Sequence, residues 1–185
     1  MRSGALLATL SVLATGCGSR TGVYIHPDVD FAHMERAAVL PFQNLSTDYL
    51  AGERIQSIFL MELLEQDVLG LVDPRETASA MEALGVRAGS TVTPEQAVAL
   101  GRKLAVEALF FGVVEEYGYS RGERSRGPEI TAVFGMTETQ TGVLVWRSQV
   151  HATGSSIWRK LFGGGPADLY TVSRETVRRA LRSLL

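Results

Sequence analysis

The chain has 185 residues, of which 45% are hydrophobic and 21% charged, and its formal net charge is −2. That apolar content excludes a disordered or low-complexity chain, and the near-neutral balance excludes a nucleic-acid binder that relies on phosphate neutralisation. The single cysteine, Cys17, excludes an internal disulfide, a cysteine-based zinc site and an iron–sulfur cluster.

The first twenty residues read MRSGALLATLSVLATGCGSR. Arg2 supplies a positive start, Ala5 to Leu13 is a short apolar run, and Ala14, Thr15 and Gly16 lead to Cys17. Such a run is too short to cross a bilayer core, which takes ~20 residues, but it suits the apolar region of an export signal. The stretch resembles a bacterial lipoprotein signal. The resemblance implies that residues 1–16 are removed and that Cys17 becomes the mature N-terminus, carrying diacylglycerol and an N-acyl chain. Gly18 stands where, in enteric-type bacteria, an Asp retains lipoproteins at the inner membrane. The expected location is therefore the outer membrane, on its periplasmic face. Several acyl chains anchor firmly, each buried methylene contributing about 0.8 kcal/mol. The alternative is an ordinary core segment with a buried cysteine.

Residues 17–35 show no sustained period and are expected to be the lipidated N-terminus and a flexible tether, with a little local order around Val23 to Ile25. The folded domain is expected over residues 36–185. Ala37 to Phe42 is a continuous apolar run of strand length, ended by Pro41 and a polar group from Gln43 to Ser46. Ile55, Ile58, Phe59 and Leu63 at helical spacing predict a long helix from about Asp48 to Val68. Gly70 to Val72 is a short strand. Asp73-Pro74-Arg75-Glu76 offers an N-cap with Pro at the first helical position, starting a helix that Gly85 stops. Thr93-Pro94-Glu95-Gln96 reads as a capping box for a helix running to about Leu104.

From Ala108 the pattern becomes that of strands. Ala108 to Tyr119, Ile130 to Glu138 and Val143 to Thr153 predict an antiparallel meander, joined by SRGERSRGP and by TQTG. After a loop over residues 154–168, Leu169 to Leu185 closes the chain as a helix, with Val172, Val177, Ala180 and Leu181 on its apolar stripe and Arg174, Arg178 and Arg182 opposite. The predicted class is α/β (α+β), one mixed sheet with packed helices in the order βαβααβββα.

Catalytic signatures are absent from the sequence: no GxSxG elbow, HExxH, phosphate loop or dinucleotide fingerprint occurs. Of the three histidines, His26 and His33 fall in the tether and are read as solvated, and His151 falls at a strand end. His151 with Ser155 or Ser156 could form a base and nucleophile, the basis of a distant envelope-hydrolase alternative. Glu115 and Glu116, neighbours on one strand, are expected to face opposite sides of the sheet and so not to act as a pair. Gly163-Gly164-Gly165-Pro166 lacks a Lys, Ser or Thr at phosphate-loop spacing and reads as loop. No cofactor, metal, nucleic acid or small-molecule substrate is indicated. Trp158 and Phe162, with Arg159 and Lys160, place two aromatics and two cations in one loop, so they fold back on the core or contact a protein partner or lipid headgroups. The turn carrying Arg121, Arg124 and Arg126 reads as a solvated tip or a basic contact.

Three pieces, AAVLPFQNLS from Ala37, LGRKLAVEALFFGVVEEYG from Leu100 and QTGVLVW from Gln140, stand in matching order in a group of envelope lipoproteins. Over residues 36 to 185 the chain resembles the CsgG-like group, which includes the curli secretion lipoprotein, the penicillin-binding-protein activator lipoproteins and uncharacterised lipoproteins. The resemblance implies a non-catalytic α/β domain that packs against copies of itself or against partners, with Cys17 at the lipid attachment position. The curli channel spans its membrane with long hairpins, whereas a membrane strand needs about 9–11 residues and the connections here are SRGERSRGP and TQTG. The expected function is thus an assembly or adaptor module of the envelope. The alternative is a subunit of an oligomeric export apparatus.

Overall fold

The computed structural model describes residues 20–120, 127–154 and 167–184. In chain order its elements are β1 (Arg20–Ile25), a 3-10 turn (Phe31–His33), β2 (Arg36–Val39), β3 (Gln43–Asn44), α1 (Ala51–Gln66), β4 (Gly70–Leu71), α2 (Pro74–Ala83), α3 (Pro94–Leu104), β5 (Ala108–Tyr119), β6 (Pro128–Glu138), β7 (Leu144–Thr153) and α4 (Leu169–Leu181). The strands form one mixed sheet in the order β1-β7-β6-β5-β2-β4, with β3 paired beside β5. From β2 onward the expected order holds, with β3 added.

Connection length decides which pairs are parallel. β5, β6 and β7 follow one another through turns and pair antiparallel, whereas β2 lies parallel to both β4 and β5, reached through helical crossovers. The position of β2 explains its unbroken apolar run. Ala37 and Val39 face one core, Ala38 and Leu40 the other, and all four are buried.

The two cores differ in extent. On one face α1 and α4 cover the sheet, and Phe42, Phe59, Phe110, Phe134 and Trp146 form a connected aromatic centre. Phe59 stacks on Phe134 with centroids 5.4 Å apart and meets Phe110 edge-on at 5.4 Å. Trp146 is fully buried and donates its indole N–H to Ser183 Oγ at 3.2 Å, just beyond α4. On the opposite face α2 and α3 pack Met81, Leu100 and Leu104 against Ala38, Leu40 and Leu109. Both helices start as their sequences predict. Asp73 accepts from Arg75 N–H at 2.7 Å, and Thr93 and Gln96 exchange the two bonds of a capping box.

The amino-terminal region departs from the tether expected over 17–35. Arg20–Ile25 is a strand that pairs antiparallel with β7, Arg20 opposite His151 and Ile25 opposite Trp146. The physical reason lies in β7, whose outer backbone edge would otherwise have no partner strand; β1 satisfies it. The 3-10 turn is closed by Asp30, which accepts from Ala32 N–H at 2.9 Å. Met34 then enters the core.

Candidate functional site

Because α2 and α3 lie over β2 and β5, the same face of β6, β7 and β1 carries no helix among the described residues. The cross-strand registers place Thr131, Val133 and Gly135 of β6 beside His151, Gln149 and Arg147 of β7, with Tyr24 of β1 beyond Arg147. Arg147 and Gln149 are exposed, in contrast to Phe134 and Val150 on the helix-covered side, which are fully buried. Among the described residues the sheet therefore ends in a half with helices on one side and none on the other, where Val133 and Gly135 are nonetheless buried.

Two features make this bare half a candidate binding surface. The first is the edge itself. Val23, Tyr24 and Ile25 are 48%, 44% and 45% exposed, and they sit on the terminal strand of the sheet. An apolar edge strand with one partner strand is a template for adding another strand. The second is a cleft of about 670 Å³ where the covered and bare halves meet. Its walls include Leu40, Val92, Pro94, Leu109, Phe111 and Val133, and Arg147 is the one ionisable side chain among its described lining residues. Two glycines shape it. Gly135 leaves room for the Phe111 ring, which a methyl there would strike. Gly142, at φ +74°, lets the β6–β7 turn approach α3 so closely that a Cβ would lie 2.6 Å from the Pro94 carbonyl oxygen. The cleft thus offers shape and apolar contact and has no acid–base pair among those lining residues.

Polar side chains gather nearer the β5 end of the bare face. A bulge between Val114 and Glu116 shifts the register so that Glu116 stands opposite Thr131. This corrects the expected opposition of Glu115 and Glu116. With the extra residue in the strand, Glu115 accepts from Gln149 Nε2 at 3.4 Å and Glu116 accepts from Thr131 Oγ1 at 2.5 Å, both toward the bare face. Thr131 Oγ1 also lies 3.0 Å from His151 Nδ1, and His151 Nε2 lies 3.8 Å from Glu129 Oε1. His151 lies near the end of β7, as expected, and the structure adds its partners on β6. Strand alternation alone could not reveal this row, since it depends on the bulge.

The other sequence candidates divide. Cys17, Arg121, Arg124, Arg126, Ser155, Ser156, Trp158, Arg159, Lys160 and Phe162 lie outside the described residues, as does the glycine run from Gly163. His26 accepts from Asp28 N–H at 3.3 Å, and His33 Nε2 lies 3.4 Å from Glu138 Oε1, so both hold local structure in the segment read as tether.

A separate polar cluster ties α1 to α4. Glu62 of α1 is buried, and its two oxygens accept from Arg174 Nε at 2.7 Å and Arg178 Nε at 2.6 Å. Burial pushes this carboxyl up, but the hydrogen bonds and charges of Arg178 and Arg174 outweigh it and hold the pKa below the usual glutamate value. Glu65 completes the clasp, at 3.3 Å from Arg174 Nη2 and 3.2 Å from Arg178 Nη2. Two of the three arginines predicted for the row on the last helix, Arg174 and Arg178, therefore serve helix packing.

No protein-family model matches the chain, and no curated protein matches it. Among solved structures it is similar to the PelC dodecamer from Paraburkholderia phytofirmans, at 18% identity and a TM-score of 0.62, over 90% of this chain and 96% of that one. It is also similar to lipoprotein GNA1162 from Neisseria meningitidis, at 16% identity and a TM-score of 0.52, over 70% and 90% of the two chains. The LpoB C-terminal domain from Escherichia coli aligns at 15% identity and a TM-score of 0.50, over 67% and 87%. At these identities the likeness is one of fold. Among the described residues no helix is long and apolar enough to cross a membrane.

Proposed function

We propose that this protein is an envelope lipoprotein, held at the periplasmic face of the outer membrane by acyl chains on Cys17, whose domain is a non-catalytic assembly module. The observation that carries the reading is the apolar edge strand β1 beside a bare half-sheet: Val23, Tyr24 and Ile25 stay close to half exposed at the end of the sheet. A monomer that met nothing would leave a sheet edge open to uncontrolled pairing, so the edge is read as half of an interface. Support for the anchor comes from the sequence around Cys17 and from the fold shared with lipoprotein GNA1162. The CsgG-like motifs belong to the same reading.

The partner favoured here is a second copy of the chain. The structure similar over 90% of this chain is a dodecamer, and a sheet edge and a sheet face meeting at one corner suit a repeating contact between identical subunits. A role as one subunit of an oligomeric export assembly fits this reading, as does docking of a further envelope protein on the completed oligomer.

The test is the mass of the full lipoprotein, extracted from envelopes in detergent and measured by light scattering. The expected result is a multiple of the mass of the acylated chain from Cys17 onward, falling to one chain in Tyr24→Arg with an unchanged circular dichroism spectrum. A wild-type chain that is monomeric at every concentration measured would overturn self-assembly.

A further inference from the structure

We propose that Glu116, Glu129 and His151 form a binding site for one divalent cation of the zinc class. This inference is independent of the assembly reading. The three side chains come from three neighbouring strands, and one ligand atom from each lies within 4.8 Å of the other two. Glu116 belongs to the set because of the β5 bulge, without which the alternation of the strand would turn it toward the α1–α4 side. The same bulge turns Tyr117 into the core opposite Ile130, so one inserted residue both packs Tyr117 and aims Glu116 toward His151.

Hydrogen bonds single out the ring nitrogen that faces the carboxylates. The Thr131 hydroxyl donates to Glu116 Oε2, and Thr131 Oγ1 lies 3.0 Å from His151 Nδ1, so that nitrogen is taken up by Thr131. The other, Nε2, faces Glu129 Oε1 at 3.8 Å. A cation between them would be within reach of Glu116 as well. The arrangement is that of a metal-ligating histidine whose other nitrogen is held by a polar partner, with Thr131 as the positioning residue.

The donor set selects the ion. One imidazole nitrogen with carboxylate oxygens suits zinc and its neighbours in the first transition row, whereas calcium and magnesium take oxygen ligands. Ligand bonds of about 2.0–2.2 Å require the three atoms to close from their present spread to roughly 3.4 Å apart. Glu116 is exposed and Glu129 half-buried, so both have room to swing in. Three protein ligands leave a fourth position to water or to a donor from another molecule.

The experiment is isothermal titration of the full chain, untagged and in detergent, with zinc chloride, and cobalt(II) as a spectroscopic probe. The expected result is one ion per chain and a visible cobalt absorption of tetrahedral intensity. His151→Ala and Glu129→Gln should abolish that absorption, and Thr131→Val should weaken affinity by about 10-fold, the loss typical of removing a positioning partner. A His26→Ala/His33→Ala double variant should bind as wild type. No uptake of zinc by a chain with native circular dichroism, or unchanged uptake in His151→Ala, would overturn the site.

Discussion

Replacing Glu62 by Gln should loosen α4 from α1 without altering the shape of either helix. The Glu62 side chain is 4% exposed and holds Arg174 and Arg178 at 2.7 and 2.6 Å, while the two arginines are 33% and 45% exposed. Glutamine keeps one accepting oxygen but turns its NH₂ group toward a guanidinium, so one bond loses its charge and the other is replaced by two opposed donors. A charge-assisted bond contributes about 1.5–3 kcal/mol. The partly solvated arginines can rehydrate and keep Glu65, which reduces the cost. We therefore expect a loss of about 2 kcal/mol, or roughly 4–8 °C in Tm for a chain of this size. The pH dependence has a definite sign. The Glu62 pKa is lowered in the folded protein, so its contribution is complete above the unfolded value of about 4.3 and is lost as pH falls through the lower folded value. The gap between wild type and Glu62→Gln should accordingly narrow in acid. Urea denaturation followed by tryptophan fluorescence at pH 7 and at descending pH measures both quantities. A gap below about 0.5 kcal/mol at pH 7, which is within the range of an ordinary surface substitution, would refute the reasoning. So would a gap that persists undiminished in acid.

Gly142→Ala places a Cβ at φ +74° and 2.6 Å from the Pro94 carbonyl, and should cost about 2–3 kcal/mol by urea denaturation, with the loss centred on the α3 contact. Ser148→Ala removes a buried hydroxyl that has no hydrogen-bond partner among the described residues, and thermal melting should show a gain of up to about 1 kcal/mol. Metabolic labelling with a fatty-acid probe should mark the wild-type chain and not Cys17→Ala; label that persists in the variant would remove the anchor from the proposed function.

The parts of the fold that could be read in the sequence are those fixed by local chemistry. Asp73-Pro74 and Thr93-Pro94 announce α2 and α3 because a cap and a proline act within one turn. The meander from β5 to β7 is legible because each strand is 10 to 12 residues long, apolar or alternating, and bounded by turn residues. β1 was hidden for the opposite reason. It is only six residues long, residues 21–25 are exposed, and its partner β7 lies more than a hundred residues further along the chain, so the sequence shows no more than a little local order there. β3 spans two residues and forms because it lies beside β5. The cation cluster was hidden by a single inserted residue. Strict alternation separates Glu115 from Glu116, and the bulge cancels that separation. His151 stood out in the sequence as a lone titratable group, but its partners Thr131 and Glu129 are ordinary strand residues until the register is known.

The central claim is that copies of this chain meet through β1. Gly22 lies on that strand with nothing within 4 Å of an added Cβ, so Gly22→Cys introduces a thiol without strain. Cys17 is the one native cysteine and is acylated in the proposed mature form, so the new thiol is the reactive one. A short bismaleimide crosslinker applied to intact envelopes should give self-adducts of Gly22→Cys and none of the wild type. A Gly22→Cys chain that reacts with a monofunctional maleimide yet yields only monomer with the crosslinker would contradict the account.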